Sequence, residues 1–175
     1  DFSPKPLVGS PGNGMHINFS VIAKDDPQAL DRAIAGVLEV ASDMTVFINP
    51  TEKSYERLGS DKAPHYISWS AENRSQLVRI PAAFGEYRRA ELRSPDPCAN
   101  PYIALALMIY AGLRGIKNRL ELPPPANMNL YKAPPEVLSG FRRLPSNLAQ
   151  AKAAAKESEF IRAHVPEAIL ASYTD

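Results

Sequence analysis

Charged and polar side chains recur at every second position in two short segments of this sequence. They are His16, Asn18 and Ser20 in the first segment, and Arg89, Glu91 and Arg93 in the second. The residues between them are apolar, and such alternation is typical of β-strands with one buried face. The polar faces of the two predicted strands therefore present histidine, glutamate and arginine together.

Two interpretations of these polar faces are open from the residues alone. In the first, the faces meet water, and their Arg and Glu side chains form weak surface ion pairs. In the second, they bind an anion together with a metal ion. Arginine binds phosphate and carboxylate groups bidentately, and His and Glu ligate divalent cations. Arg74 and Arg79 would add to such a site.

Several other chemistries are not predicted. Gly12 and Gly14 lead into a strand rather than a helix, so they form neither a phosphate-binding loop nor a dinucleotide-binding turn. Cys98 is the only cysteine, which excludes an internal disulfide and a cysteine-rich zinc site. It lies between two prolines and an apolar helix, with no base near it in sequence, so we do not expect a nucleophilic thiol.

The composition is that of one folded domain. The 175 residues are 45% hydrophobic and 22% charged, and 20 basic against 19 acidic residues leave a net charge of +1. Because nucleic-acid-binding and anionic-membrane-binding proteins carry a clear basic excess, neither partner is expected. The most apolar run, residues 103–113, is too short to span a membrane. The single cysteine fits a reducing compartment, so we expect a cytoplasmic protein.

The hydrophobic pattern predicts an α+β fold, in which helices pack on an antiparallel sheet. The predicted strands cover residues 15–21, 65–71, 76–80 and 89–94, and the predicted helices cover residues 27–44, 101–118 and parts of 134–173. Residues 52–64 are polar and predict a mobile loop. Asn100 is expected to cap the helix that begins at Pro101. This helix is apolar on nearly every side, so it should be buried.

A series of linked motifs occurs in one order along the chain. They are Gly12-Asn13-Gly14-Met15-His16, Asn49-Pro50-Thr51, Asn73-Arg74-Ser75, Arg79-Ile80-Pro81, Glu91-Leu92-Arg93-Ser94-Pro95-Asp96-Pro97 and Asn100-Pro101-Tyr102. Together they resemble the C-terminal part of the catalytic domain of bacterial glutamine synthetases, over nearly the whole chain. The resemblance implies a glutamine synthetase/guanidino-kinase-like catalytic fold, with a sheet and a buried helix in residues 1–122 and a helical tail in residues 123–175.

The resemblance also implies a reaction. The family joins glutamate and ammonia, using ATP and Mg²⁺ or Mn²⁺, through a γ-glutamyl phosphate. Its members form homo-oligomeric rings. The family's N-terminal β-grasp domain and the first part of its catalytic domain have no counterpart in residues 1–175. We therefore expect a fragment that is inactive by itself.

The nucleotide side of the family's site matches five residues of this chain. By resemblance, His16 and Glu91 are ligands of the metal ion on the nucleotide phosphates. Arg74 and Arg79 correspond to arginines that contact ATP phosphates or the transferring phosphoryl group, and Ser20 corresponds to a serine on the nucleotide side. Charge neutralisation by metal ions and arginines is what phosphoryl transfer requires.

The glutamate side of the family's site also has counterparts here. By resemblance, Arg57 and Arg93 bind the glutamate carboxylate or the γ-glutamyl phosphate, and the backbone of Gly12 approaches glutamate. The flap carboxylate that helps to deprotonate ammonium aligns with Lys62, and the neighbouring Asp61 is a candidate to replace it. The expected catalytic residues are thus Arg57, Asp61 and Arg93, with Arg74 from the nucleotide side.

These departures from the family pattern leave other functions open. With Lys62 in the flap, and Glu86 where the family has a nucleotide-side lysine, phosphate handling is retained but amine handling is in doubt. One alternative is a γ-glutamyl amine ligase that uses another amine, and a second is a non-catalytic regulatory relative. A guanidino-kinase-like phosphotransferase shares only the general sheet architecture, and the linked motifs favour the ligase.

Overall fold

The computed structural model describes residues 1–60, 62–71, 73–81 and 88–175. Asp61 and Glu86, which the sequence marked as candidate functional positions, lie outside the described residues. Within the described ranges, none of the helices is both long and apolar enough to cross a membrane.

Four short strands form one sheet. In chain order they are β1 (Ile17–Phe19), β2 (Trp69–Ser70), β3 (Val78–Arg79) and β4 (Ala90–Leu92), and they are ordered β1-β4-β3-β2 across the sheet. With helices packed on this sheet, the α+β class is confirmed, but each strand is shorter than the sequence predicted. The alternation of polar and apolar residue types continues beyond the residues that pair in the sheet. In β4 the burial does not alternate, because Glu91 and the following Arg93 are buried as well.

The sheet is mixed rather than wholly antiparallel. β4 pairs antiparallel with β1 and β3, but β2 and β3 run parallel, so the prediction is wrong for that pair. A distant segment contacts β2 and the residues just before β3: Trp69 Nε1 donates to the Pro123 carbonyl, and Gln76 Nε2 donates to the Ala126 and Met128 carbonyls. Alternation carries no information on such long-range contacts, so it could not give the strand direction.

The helix predicted over residues 27–44 is two helices. They are α1 (Ala29–Glu39) and α2 (Ala41–Ile48), separated at Val40, whose ψ of 16° leaves the helical range. Both helices bury most of their apolar residues, so one continuous stripe of hydrophobicity crosses the break. This stripe correctly predicted that the apolar residues of α1 and α2 are buried, but it did not predict the break between the helices at Val40.

The segment predicted as a mobile loop begins with helix α3 (Glu52–Arg57). Thr51 precedes it, and the Ser54 hydroxyl accepts a hydrogen bond from the Thr51 backbone N–H over 3.1 Å. Six mostly polar residues are too few to show a helical period, so the pattern missed this helix. Helix α3 ends at Arg57 and therefore determines where this site residue lies.

Helix α4 (Pro101–Lys117) is confirmed, including its cap. The Asn100 side chain accepts hydrogen bonds from the backbone N–H groups of Tyr102 and Ile103. One face of α4 packs on α1, but the opposite face is exposed, so the expected burial of the whole helix is wrong. The exposed side chains are Tyr102, Leu105, Ile109, Tyr110 and Leu113.

The C-terminal part of the chain is helical, as predicted. It contains α5 (Pro135–Leu138), α6 (Leu148–Glu157), α7 (Glu159–His164) and α8 (Glu167–Thr174). Helix α6 packs against α2, and the aromatic ring of Tyr173 lies 4.9 Å from that of Phe47, which is fully buried. Helices α6, α7 and α8 therefore pack against α2 and extend the core on that side.

Candidate active site

Six of the polar side chains predicted to do chemistry line one cavity of about 310 Å³. Among the described residues, it is lined by Pro11, Gly12, Gly14, His16, Arg57, Lys62, Ala63, Arg74, Arg79, Glu91 and Arg93. The strand register explains the convergence, because Arg79 of β3 and Asn18 of β1 both lie opposite Glu91 of β4. The second interpretation of the polar faces, an anion site, fits a cavity lined by several arginines better than a flat solvated surface does.

Glu91 lies at the centre of the cavity and is only 8% exposed. Its Oε2 accepts hydrogen bonds from Arg79 Nε at 2.8 Å and from Arg93 Nη1 at 2.9 Å, and its Oε1 lies 3.2 Å from His16 Nδ1. Burial alone would raise the pKa of Glu91, but the two guanidinium groups outweigh it and hold the pKa below its usual value. Glu91 is therefore a carboxylate that fixes the positions of two arginines.

Arg93 is 3% exposed and is anchored on both sides. Its Nη1 donates to Glu91, and its Nη2 donates to the Lys62 carbonyl over 3.0 Å. Lys62 has a φ of 77°, in the left-handed region that side-chain-bearing residues rarely adopt. Arg93 Nε is buried and has no hydrogen-bond partner among the residues that the structure describes.

Arg57, at the end of α3, is 2% exposed. Its Nη1 donates to the Ser94 carbonyl over 2.7 Å, and its Nη2 donates to the Arg93 carbonyl over 3.2 Å. Burial lowers the pKa of Arg57, while the carboxylate of Asp96 acts in the opposite direction. An arginine remains protonated at any physiological pH, so a buried positive charge lies beneath the cavity.

Two glycines of the first motif lie directly against Arg57. A Cβ atom on Gly12 would lie 2.2 Å from the Pro4 carbonyl oxygen and 2.9 Å from Arg57 Cγ, and one on Gly14 would lie 2.6 Å from Arg57 Nη2. Only glycine permits so close an approach of the backbone. By resemblance the backbone of Gly12 was expected to approach glutamate; within the described chain both glycines approach Arg57.

His16 borders the cavity with 32% of its side chain exposed. Burial lowers the pKa of His16, Arg93 lowers it further, and Glu91 opposes both. The neutral imidazole is the form that ligates metals. His16 and Glu91 together supply two donors, but no cluster of three His, Cys, Asp or Glu side chains occurs among the described residues. The fit to Mg²⁺ or Mn²⁺ is therefore partial, and a closed site needs further oxygen ligands.

The remaining predicted residues lie at the edge of the cavity or beyond it. Arg74 is exposed and lines the cavity, whereas Ser20 is exposed, follows the end of β1 and is not a lining residue. Asp61 lies outside the described residues. Sequence reasoning gave no role to the carbonyls of Lys62 and Ser94, which position Arg93 and Arg57, because backbone acceptors leave no trace in residue type.

The cavity is electropositive. Its described lining residues include four arginines and one lysine against the single carboxylate of Glu91. Guanidinium groups held in fixed positions in a partly buried cavity bind phosphate and carboxylate groups strongly, since their donors are already oriented. The arrangement is therefore suited to a multiply charged anion.

The family model that matches this chain and two of its curated relatives carry the name glutamine synthetase. The family model described as "Glutamine synthetase, catalytic domain" matches residues 1–175. The chain is 41% identical to a glutamine synthetase of Methanosarcina mazei over 98% of its own length, and 43% identical to one of Staphylococcus aureus over 92%. These alignments cover 42% and 40% of the relatives, so the chain spans about two fifths of their length.

Solved structures show the same relationship. A structure of GmaS in complex with ADP superposes with a TM-score of 0.84 at 28% identity, over 99% of this chain and 43% of that one. GmaS without ligand superposes with a TM-score of 0.81 at the same identity. Because the family model matches the whole chain and curated relatives are more than 40% identical over nearly all of it, the chain belongs to the glutamine synthetase catalytic-domain family.

Proposed function

We propose that this chain forms the anion-binding part of the active site of an ATP-dependent ligase that joins glutamate and ammonia through a γ-glutamyl phosphate. The observation that carries the proposal is the convergence of Arg57, Arg79 and Arg93 around Glu91 in one cavity. The family supplies the reaction, and the ADP bound to GmaS supports a nucleotide on this fold.

The arginines of the cavity differ in exposure, and we assign them to different substrates on that basis. Arg74 is exposed and the Arg79 side chain is 23% exposed, so both can reach the phosphates of an incoming nucleotide. Arg57 and Arg93 are almost fully buried and fixed by backbone carbonyls, so their charge is in place before substrate arrives. We assign Arg74 and Arg79 to the phosphates of ATP, and Arg57 and Arg93 to glutamate and its phosphorylated form.

The remaining assignments also follow the family. His16 and Glu91 would hold Mg²⁺ or Mn²⁺ together with ligands from outside the described residues. The bound ion would neutralise phosphate charge. Gly12 approaches glutamate, Ser20 lies on the nucleotide side and Asp61 acts on the amine. By the family resemblance, the parent protein is proposed to be a cytoplasmic homo-oligomeric ring.

One observation favours a second candidate, a γ-glutamyl amine ligase. Lys62 lines the cavity where the family has a flap carboxylate. A lysine ammonium group has no lone pair to accept a proton from ammonium. If no other group takes that proton, an amine that binds as the free base would be preferred to ammonia.

The test is phosphate release from Mg-ATP in the presence of glutamate and each of several amines, ammonia included, by the full-length parent protein. Turnover with ammonia would confirm the proposed ligase, and turnover only with larger amines would establish the second candidate. No turnover with any amine would contradict both. The 175-residue chain, which provides two metal donors, should show no turnover under the same conditions.

A further inference from the structure

Two motifs that received no chemical role, Asn49-Pro50-Thr51 and Pro95-Asp96-Pro97, meet beneath the cavity. Asn49 and Asp96 are both 0% exposed. Asn49 Nδ2 donates to Asp96 Oδ2 over 2.9 Å and to the Ser94 carbonyl over 2.8 Å. Both neighbours are acceptors, so the amide nitrogen must face them and the orientation of Asn49 is fixed.

Arg57 is tied to this pair through a shared acceptor. The Ser94 carbonyl accepts hydrogen bonds from both Asn49 Nδ2 and Arg57 Nη1. The position of the guanidinium group is therefore set by the same carbonyl that Asn49 holds. The opposite end of Asn49 is held as well, because the Tyr55 hydroxyl donates to its backbone carbonyl over 2.9 Å.

The charges of Asp96 and Arg57 are complementary. A fully buried carboxylate is costly unless it is hydrogen-bonded and faces a positive charge. Asp96 accepts hydrogen bonds from Asn49 and from the Cys98 backbone N–H at 3.0 Å, and neither donor is charged. Buried Arg57 provides the positive charge, and its pKa responds to Asp96.

We infer that Asn49 and Asp96 form a buried positioning pair that holds the Arg57 guanidinium beneath the anion cavity. The inference rests on the proposed function, in which Arg57 serves an anionic substrate. Neither member of the pair lines the cavity, so both act through Arg57 and neither is a catalytic residue.

The direction in which Asp96→Asn changes anion affinity distinguishes a positioning role of Asp96 from a purely electrostatic effect of its charge. The variant Asp96→Asn removes a negative charge close to the cavity, and by Coulomb's law alone this would strengthen anion binding. If Asp96 instead positions the Arg57 guanidinium, its replacement misplaces the charged hydrogen bonds from Arg57 to the anion, and anion binding becomes weaker. We expect titration of the 175-residue chain with tripolyphosphate, without metal, to show about tenfold weaker binding by Asp96→Asn.

A matched control and a double variant make the test specific. The control is Asp43→Asn, which removes a carboxylate of α2 that accepts one hydrogen bond from the Ser158 hydroxyl and does not line the cavity. It should bind as the wild type does. In an Arg57→Gln background, Asp96→Asn should cause no further loss. Equal losses with and without Arg57, or tighter binding by Asp96→Asn, would overturn the inference.

A readout without ligand keeps the inference separate from the proposed function. In ¹⁵N-arginine NMR spectra, the Arg57 Nη protons held by carbonyls should exchange slowly with water in the wild type and faster in a folded Asp96→Asn variant. Unchanged exchange would overturn the positioning role. If exchange becomes faster but the wild type does not bind tripolyphosphate, the proposed anion site is wrong and the positioning role stands.

Discussion

Glu91 and Arg93 are two residues apart in the chain, and their side chains form a buried ion pair with an oxygen–nitrogen distance of 2.9 Å. Side chains at positions i and i+2 of an extended segment share one face, so β4 itself brings the two charges together. Arg79 of the adjacent strand donates to the same carboxylate oxygen. One strand register thus fixes three charged groups of the cavity.

Replacement of Glu91 by Gln should destabilise the chain more than its single charge suggests. The variant leaves the guanidinium of Arg93 buried without its counter-charge, which should lower the free energy of unfolding by about 3–5 kcal/mol in urea titrations. The control is Glu39→Gln, because Glu39 forms an exposed pair with Arg114. It should cost less than about 1 kcal/mol. Equal losses in the two variants would show that the Glu91 pair is no more than a surface contact.

The packing of α1 on α4 depends on two glycines. A Cβ atom on Gly36 would lie 2.1 Å from the Ala111 carbonyl oxygen, and one on Gly115 would lie 1.9 Å from the Arg32 carbonyl oxygen. Because both obstacles are backbone atoms, either glycine-to-alanine change forces the helices apart. It should cost about 2–3 kcal/mol in thermal or urea unfolding.

Gly140 provides the matched control for this pair. Its nearest neighbour would be the Val137 carbonyl oxygen at 3.5 Å, an ordinary contact, so Gly140→Ala should be nearly neutral. A neutral Gly36→Ala or Gly115→Ala variant would contradict the close approach of α1 and α4.

The two faces of α4 should respond differently to substitution. Leu107 is 2% exposed, so Leu107→Ala should cost about 2–5 kcal/mol of stability. Ile109 is 54% exposed, so Ile109→Gln should change the stability of this chain by less than about 0.5 kcal/mol. Unfolding curves of both variants test the assignment. A large loss from Ile109→Gln would mean that this face is covered in solution.

His65 should make the chain less stable in mild acid. Burial, reinforced by Arg143, lowers the pKa of His65 in the folded chain below its ordinary value of 6.5. The unfolded chain therefore binds more protons, so stability falls as the pH drops through about 6.5 towards the folded pKa. The urea midpoint should decrease between pH 7.5 and pH 5.5, and His65→Gln should reduce that decrease. An unchanged pH dependence in His65→Gln would contradict the assignment.

Local patterns predicted the burial of residues well and their pairing poorly. Alternation at residues 15–21 and 89–94 located β1, which follows His16, and β4, which contains Glu91. The parallel strands β2 and β3 lie beside a segment about fifty residues away in sequence, where the Pro123 and Ala126 carbonyls accept hydrogen bonds from Trp69 and Gln76. No local period encodes such contacts.

The sequence predicted those parts of the site that are formed by side chains, but not those formed by backbone groups. Arginine, histidine and glutamate side chains led to six of the cavity's lining residues, and Gly12 is a seventh. The roles of all seven remain proposals. The acceptors that hold Arg57 and Arg93 are the backbone carbonyls of Ser94 and Lys62. A carbonyl is common to every residue, so only the fold reveals which ones serve the site.

The most direct test of the central claim is the binding of Mg-ATP by the 175-residue chain, measured by titration calorimetry. The arginine cavity predicts saturable binding that becomes about tenfold weaker in Arg79→Ala. Binding should not change in Arg114→Ala, which removes an arginine paired with Glu39 on the surface. Absence of binding by the wild type, or equal weakening in the two variants, would contradict the assignment of this cavity to the nucleotide phosphates.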